Sequence, residues 1–230
     1  CRVETGQALH MGRGNPQPPG GTPKRRSPGV QIGEAAARGL VLQGSAQVFA
    51  KMGVRAPSVE DLLAASGVSR RTFYRLYAGK EAVVVELYTF GTEMLLEACR
   101  RAARRESDLR ALVVQCIDAH LNNARQSGRL VFVLGGEAQH QESALHARRL
   151  QVHDEIVELL VASAASQASG GVDRLLIRGL LLAIEGVTRI VLTEGDEGRA
   201  VDEAALAHAR VIMIQIANGA LAAHEAAGGR

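Results

Sequence analysis

Arg70, Arg71 and Arg75 fall in one short stretch, interleaved with Thr72 and Tyr74 and followed by Lys80. Guanidinium groups at this density suit one chemistry above others. Their two parallel N–H donors match O6 and N7 of guanine, and the same fork grips phosphate oxygens, which a lysine ammonium cannot do as a pair. On a helical wheel, at roughly 100° per residue, Phe73, Leu76 and Tyr77 gather around the Ser69 direction. Arg70, Arg71, Tyr74 and Arg75 take the opposite arc. A helix that is apolar behind and carries three guanidiniums and a phenol in front fits the DNA major groove. Thr72 and Tyr74 are placed to reach a phosphate or a thymine methyl. The plainer alternative is a solvated basic face.

The residue sets that carry catalysis do not occur. There is no G-x-S-x-G, no P-loop and no H-E-x-x-H, and the carboxylates form no evident acid–base pair. The glycines at Gly12 and Gly14 are not a dinucleotide fingerprint, because no strand precedes them and Pro16 interrupts them. His146 and His153 share a helix face but stand seven apart, wider than the pairs that hold zinc. The chain is therefore expected to be no enzyme, with no catalytic residue, no metal and no cofactor. Three cysteines, Cys1, Cys99 and Cys116, are too few for a disulfide scaffold and point to a reducing compartment. Cys99 and Cys116 are expected to behave as small buried hydrophobes on neighbouring helices.

The basic helix needs elements to present it, and the residues before it supply them. Ser58 precedes an apolar run with Asp61 three residues on, a near capping box. Leu62 and Leu63 give that helix its buried face. Gly67 ends it where a positive φ permits a sharp turn. Val68 plugs the angle, and Ser69 caps the basic helix.

With these residues in view, the span from about Ala37 to Val85 resembles the DNA-binding domain of TetR/AcrR-type transcriptional regulators. The resemblance rests on Val48-Phe49-Ala50 with Gly53, Ser58 with Asp61-Leu62, Gly67-Val68-Ser69, Thr72-Phe73-Tyr74, Tyr77, and Gly79-Lys80-Glu81. It covers about a fifth of the chain. It implies phosphate contacts from Ser58, Tyr74 and Lys80, base or phosphate contacts from Arg70, Arg71 and Arg75, and core positions for Phe73 and Tyr77. Ser69 and Thr72 complete the expected DNA-binding set. The family often has Ala where this chain has Leu63 and Ser66. Gly44 and Ser45 stand in the first helix where alanines are common, and the glycine is expected to weaken it by roughly 1 kcal/mol.

Charge and composition agree with this division. Of 230 residues 47% are hydrophobic and 22% charged, ordinary for a globular chain. Residues 1–85 hold 12 Lys or Arg against 5 Asp or Glu, and residues 86–230 hold 15 against 19, so a basic front precedes an acidic back. Residues 1–30 contain five of the six prolines and few large apolar side chains. They are expected to form a disordered basic tail, with Met11 a candidate start. The expected layout is residues 31–85 as a three-helix helix-turn-helix DNA-binding domain and residues 86–230 as a helical ligand-binding and dimerisation domain. The fold class is all-α. The periodicity predicts helices at about 34–52, 59–65, 69–76, 80–105, 107–126, 130–135, 138–166, 172–193 and 202–225, with a break at Gly135-Gly136.

Behind the first domain the resemblance is one of layout. It implies dimerisation through the last two helices. Leu206, Ala209, Met213, Ile216 and Ala220 make a stripe on the last, and the Leu175 to Leu192 helix is apolar nearly all round and so must be buried on most sides. Arg178, Glu185 and Arg189 make that run a poor membrane span. After Phe90 the only aromatic residue is Phe132, so a pocket here is not an aromatic cage for a flat cation. The expected effector is small and either apolar or carbonyl-rich, with His120, Phe132, His140, Glu185 and Arg189 as lining candidates. Glu185 and Arg189, four apart, could instead pair with each other.

Two functions follow. The first is a cytoplasmic, nucleoid-associated bacterial repressor, a homodimer on a palindromic double-stranded DNA operator that a small-molecule effector releases. The second is a DNA-binding regulator or architectural protein governed by a protein partner. Neither involves a membrane.

Overall fold

A computed structural model describes residues 33–165, 171–194 and 202–228. The expected tail, 1–30, lies outside the described residues. All regular structure among those described is helical: α1 (Glu34–Met52), α2 (Val59–Ser66), α3 (Arg70–Leu76), α4 (Lys80–Ala103), α5 (Leu109–Ser127), α6 (Arg129–Gln139), α7 (His146–Ala165), α8 (Arg174–Glu194) and α9 (Glu203–Gly228).

Two apolar cores organise these helices. Val41 and Phe49 from α1, Leu62 from α2, Phe73 from α3 and Val83 from α4 form the first core, and each is fully buried. Leu134 and Ala138 of α6 and Leu145 beyond it complete the same cluster. The second core takes Leu96 of α4, Leu112 and Ile117 of α5, Ile156 of α7, Ile177 of α8, and Leu206 and Met213 of α9. α4 thus has one end in each core.

Gly67 ends α2 in the left-handed region, φ 67°, and its amide donates to Leu63 O, so the chain turns into α3 without a Cβ penalty. Gly44 explains one departure from the family pattern. It is buried, and a Cβ there would stand 2.7 Å from the Ser66 amide nitrogen and 2.8 Å from the Ala65 carbonyl carbon. The Ser66 hydroxyl, buried at the same crossing, donates back to Leu62 O at 2.7 Å.

Three expectations need correction. The Gly135-Gly136 break does not occur: α6 runs unbroken, because Leu134 and Ala138 bury its face and tertiary burial outweighs the propensity cost of two glycines. The long helix expected from residue 138 starts instead at His146. The Ser143 hydroxyl accepts from the Leu145 amide, and turns through His140 and Ser143 carry Leu145 into the first core. On α9 the buried stripe is Leu206, Ala209, Met213, Ala217 and Leu221, while Ile216 is 38% exposed. Within its own chain α8 leaves Leu175, Leu182 and Ile190 77%, 50% and 59% exposed.

Candidate functional site

The α2–turn–α3 unit is built by its caps. Ser58 Oγ accepts from the Asp61 amide at 3.3 Å, and the Asp61 carboxylate accepts from the Ser58 amide at 2.8 Å, a complete capping box. The Ser58 hydroxyl also donates to Asp61 Oδ2 at 2.7 Å. Its one proton is thereby committed, so a phosphate there would have to displace Asp61. These hydrogen bonds from Ser58 hold the Asp61 carboxyl below its ordinary range. Ser69 caps α3 in the same way, its Oγ accepting from the Thr72 amide at 3.1 Å and lying 2.9 Å from Thr72 Oγ1.

α3 is held from behind. Phe73 is fully buried and Tyr77 nearly so, with ring centroids 5.7 Å apart. The Arg38 guanidinium sits 5.2 Å from the Tyr77 ring centre and pairs with Glu86 at 2.6 Å. Burial, with the Glu86 charge adding to it, pushes the Tyr77 hydroxyl up to about 12. Outward from this anchor stand Arg70, Arg71, Tyr74 and Arg75, all exposed, and the half-buried Thr72. Tyr74 meets Phe73 edge-on at 5.4 Å and is itself 49% exposed. Arg70 pairs with Glu60 on the α2 side. Arg71 and Arg75 make no ion pair or hydrogen bond among the described residues, so their donors stay open to an incoming polyanion.

Lys80 opens α4 and does a different job. Its ammonium donates to Arg55 O and Pro57 O, both at 2.7 Å, tying the start of α4 to the α1–α2 corner. One of its three protons remains for a phosphate beside the helix N-terminus.

A cavity of about 150 Å³ opens between α4, α5, α6, α7 and α8. Four expected residues meet there: His120, Phe132, Glu185 and Arg189. His140 does not join them. It is an exposed C-cap of α6, because α6 ends there rather than continuing. Glu185 turns to partners on α7 rather than to Arg189 on its own helix. It binds Arg149 Nη2 at 2.5 Å and His153 Nε2 at 2.8 Å, whereas Arg189 donates to Gln139 Oε1 at 2.9 Å. Burial alone would raise the Glu185 carboxyl, but the His153 and Arg149 hydrogen bonds outweigh it and hold the group at about 2. His120 Nε2 lies 2.8 Å from Thr188 Oγ1, whose own proton goes to Ile184 O. The His120 Nε2 therefore carries the hydrogen. Burial lowers its pKa and keeps the ring neutral.

Tyr88, Asn123 and Ser127 also line this cavity and escaped the sequence reading. Tyr88 lies two residues before Phe90, in a stretch that composition assigns to neither domain's site. The i, i+4, i+7 face Tyr88–Thr92–Leu95 was the available signal. Elsewhere, His146 Nδ1 lies 3.1 Å from Ala138 O, and no cluster of three metal-ligating side chains occurs among the described residues. Cys99 and Cys116 do face each other across α4 and α5, as reduced thiols in contact.

Residues 41–87 match the family model of bacterial regulatory proteins of the tetR family. No curated protein sequence gives a match. Solved structures agree in fold. A TetR-family transcriptional regulator from Streptomyces coelicolor, SCO4454, is 15% identical, covers 82% of this chain and 90% of its own, and superposes with a TM-score of 0.65. FadR from Bacillus subtilis, solved with stearoyl-CoA, is 14% identical over 77% of this chain and 96% of its own, with a TM-score of 0.65. The TetR-family regulator PfmR from Thermus thermophilus is 20% identical over 76% of this chain and 97% of its own, with a TM-score of 0.60.

Proposed function

We propose that this chain, whose residues 41–87 match the family model of tetR-type bacterial regulatory proteins, is a DNA-binding transcriptional regulator of that family and acts as a homodimeric repressor. Its operator is palindromic, and a small-molecule effector releases it. The observation that carries the reading is the outward face of α3. Arg71 and Arg75 lie open beside Tyr74 while Phe73 fixes the helix from behind. In this role Arg70, Arg71 and Arg75 read bases or adjacent phosphates, and Thr72, Tyr74 and Lys80 set the register on the backbone. Ser58 and Ser69 act through the caps that aim α2 and α3. The working division is a DNA-binding unit at residues 31–85 and a ligand and dimer unit at 86–230, in the cytoplasm.

Two heads about one DNA turn apart (~34 Å) require a second copy. The exposed Leu175, Leu182 and Ile190 on α8 and Val211 and Ile216 on α9 support a four-helix interface between copies. By length and composition α9 could cross a membrane. With one stripe in its own core and the other on a partner helix, it has no need of lipid.

The effector would act through α4 and α6. α4 lines the cavity at Leu87, Tyr88 and Gly91 and is rooted in the DNA-binding core through Val83 and Val84. α6 lines it with Gly135 and Gly136, while Glu137 binds Arg55 at 3.1 Å and Arg129 binds Ala50 O at 2.9 Å. A ligand that favours one placement of these helices pivots α3 out of register with its twin. Footprinting on the DNA flanking the coding region tests the reading. One short symmetric protected site, lost on adding the effector, is expected. Diffuse coverage would replace the repressor by an architectural protein.

A further inference from the structure

The cavity between α4 and α8 carries more information than its position. Its volume, about 150 Å³, is that of a space that takes a single six-membered ring. Its walls are mainly apolar, among them Leu95, Leu130, Val152, Ile156 and Leu181. The ionised groups at its wall are already engaged. Both oxygens of Glu185 are taken, one by Arg149 and one by His153. Arg189 is the one Arg or Lys among the lining residues, and it donates to Gln139. His120 is neutral and bonded to Thr188.

The polar groups with spare capacity are uncharged. The Tyr88 hydroxyl makes no hydrogen bond among the described residues, and neither do the side chains of Asn123 and Ser127. Burial, reinforced by the Glu185 charge, keeps the Tyr88 phenol protonated, so it can only offer its hydrogen or accept one. A half-buried phenol without a partner on the wall of an apolar space is a donor waiting for an acceptor.

We propose that the cavity binds a neutral, ring-sized organic molecule bearing a carbonyl-type acceptor, with the Tyr88 hydroxyl as the group that recognises that acceptor. This rests on the reading of the cavity as an effector site and narrows it. A carboxylate would lie against Glu185. An amine would meet a carboxylate whose charge Arg149 already balances. A long acyl chain would run out through the open side of this space, away from the Tyr88 hydroxyl, and a nucleotide-bearing thioester would bring phosphates to a wall with one cation. The structural likeness to a regulator solved with stearoyl-CoA therefore does not extend to ligand class.

Four probes on the full chain decide the matter: cyclohexanone, cyclohexanecarboxylate, cyclohexylamine and stearoyl-CoA, each followed by calorimetric titration and thermal melting. Cyclohexanone alone is expected to bind saturably and raise the melting temperature. Tyr88→Phe, which keeps the ring and loses the donor, should weaken it roughly three- to tenfold with an unchanged melting curve in the absence of ligand. Tighter binding of the carboxylate, the amine or stearoyl-CoA than of the ketone would overturn the assignment, as would unchanged ketone affinity in Tyr88→Phe or no ketone binding at all. Operator binding is measured on the same samples. Ketone failure with specific DNA binding intact removes this inference and leaves the repressor standing. Ketone binding without specific DNA binding does the reverse.

Discussion

Gly44 and Ser66 bring α1 and α2 into backbone contact: a Cβ on the first would stand 2.7 Å from the amide nitrogen of the second. That distance reverses the usual sign of a helix-interior glycine. By propensity Gly44→Ala should add about 1 kcal/mol of stability. At this crossing the methyl meets main chain, which cannot swing aside. The substitution is expected to destabilise by about 1–3 kcal/mol, the range of overpacked cores, and to loosen specific DNA binding by shifting α2 and α3. Urea denaturation with operator titration checks both, and a stabilised variant would refute the packing argument.

Gly136 gives the opposite expectation. A Cβ there meets nothing within 4 Å, and the residue lines the cavity. Gly136→Ala should stabilise the protein by up to about 1 kcal/mol while narrowing the space for a ligand. Higher urea midpoints paired with weaker ring-probe affinity would support this, and a lower midpoint would contradict it.

Arg71 and Lys80 should separate base reading from backbone anchoring. Arg71→Ala is expected to lose about 1–3 kcal/mol of discrimination between operator and altered sites. Lys80→Ala should weaken operator and random DNA alike and lower the slope of affinity against salt by about one. It should also lower the melting temperature, because it frees the carbonyls of Arg55 and Pro57. Gel-shift titrations across a salt series distinguish the two, and identical losses on both DNAs for both variants would reject the assigned roles.

The Glu185 carboxyl predicts a pH signature. Its folded pKa of about 2 lies below the ordinary value of 4.5. A depressed acid contributes stability that is complete above the unfolded value and is lost as pH falls towards the folded one. Parent and Glu185→Gln should therefore differ most near neutrality, with the parent more stable, and converge between about pH 4.5 and 2. Denaturation midpoints across that window are the measurement, and a constant gap would show that the carboxylate is not what Arg149 and His153 stabilise.

The exposed face of α8 predicts assembly. Leu182→Glu with Ile190→Glu places charges where two copies would meet, at positions their own chain leaves half open. Sedimentation should show dimers of the parent turning to monomers with unchanged helical content. A monomeric parent at micromolar concentration would count against both the dimer and the two-headed operator.

How much was legible from the residues depended on the range of the force involved. The capping box at Ser58, the left-handed Gly67, the apolar and basic faces of α3 and the burial of Phe73 are local consequences of neighbouring residue types. His140 falls outside the cavity because α6 ends beside it, whereas the break at Gly135-Gly136 was misread for a reason of range. Propensity favoured ending the helix, but Leu134 and Ala138 find a core contributed by residues far away in sequence. The role of Gly44 was hidden for the same reason, because its neighbour Ser66 belongs to another helix.

By itself, then, the chain of residue types determined the helices, the basic outward face of α3 and the motif series that matches a family model over residues 41–87, since these follow from spacing along a helix and from caps within a few residues. Tertiary structure alone decided that Glu185 pairs with Arg149 and His153 rather than with Arg189, that Tyr88 turns to the cavity, and that Lys80 ties down the α1–α2 corner. Each of those is a choice among partners on different helices, and only packing brings the competitors within reach.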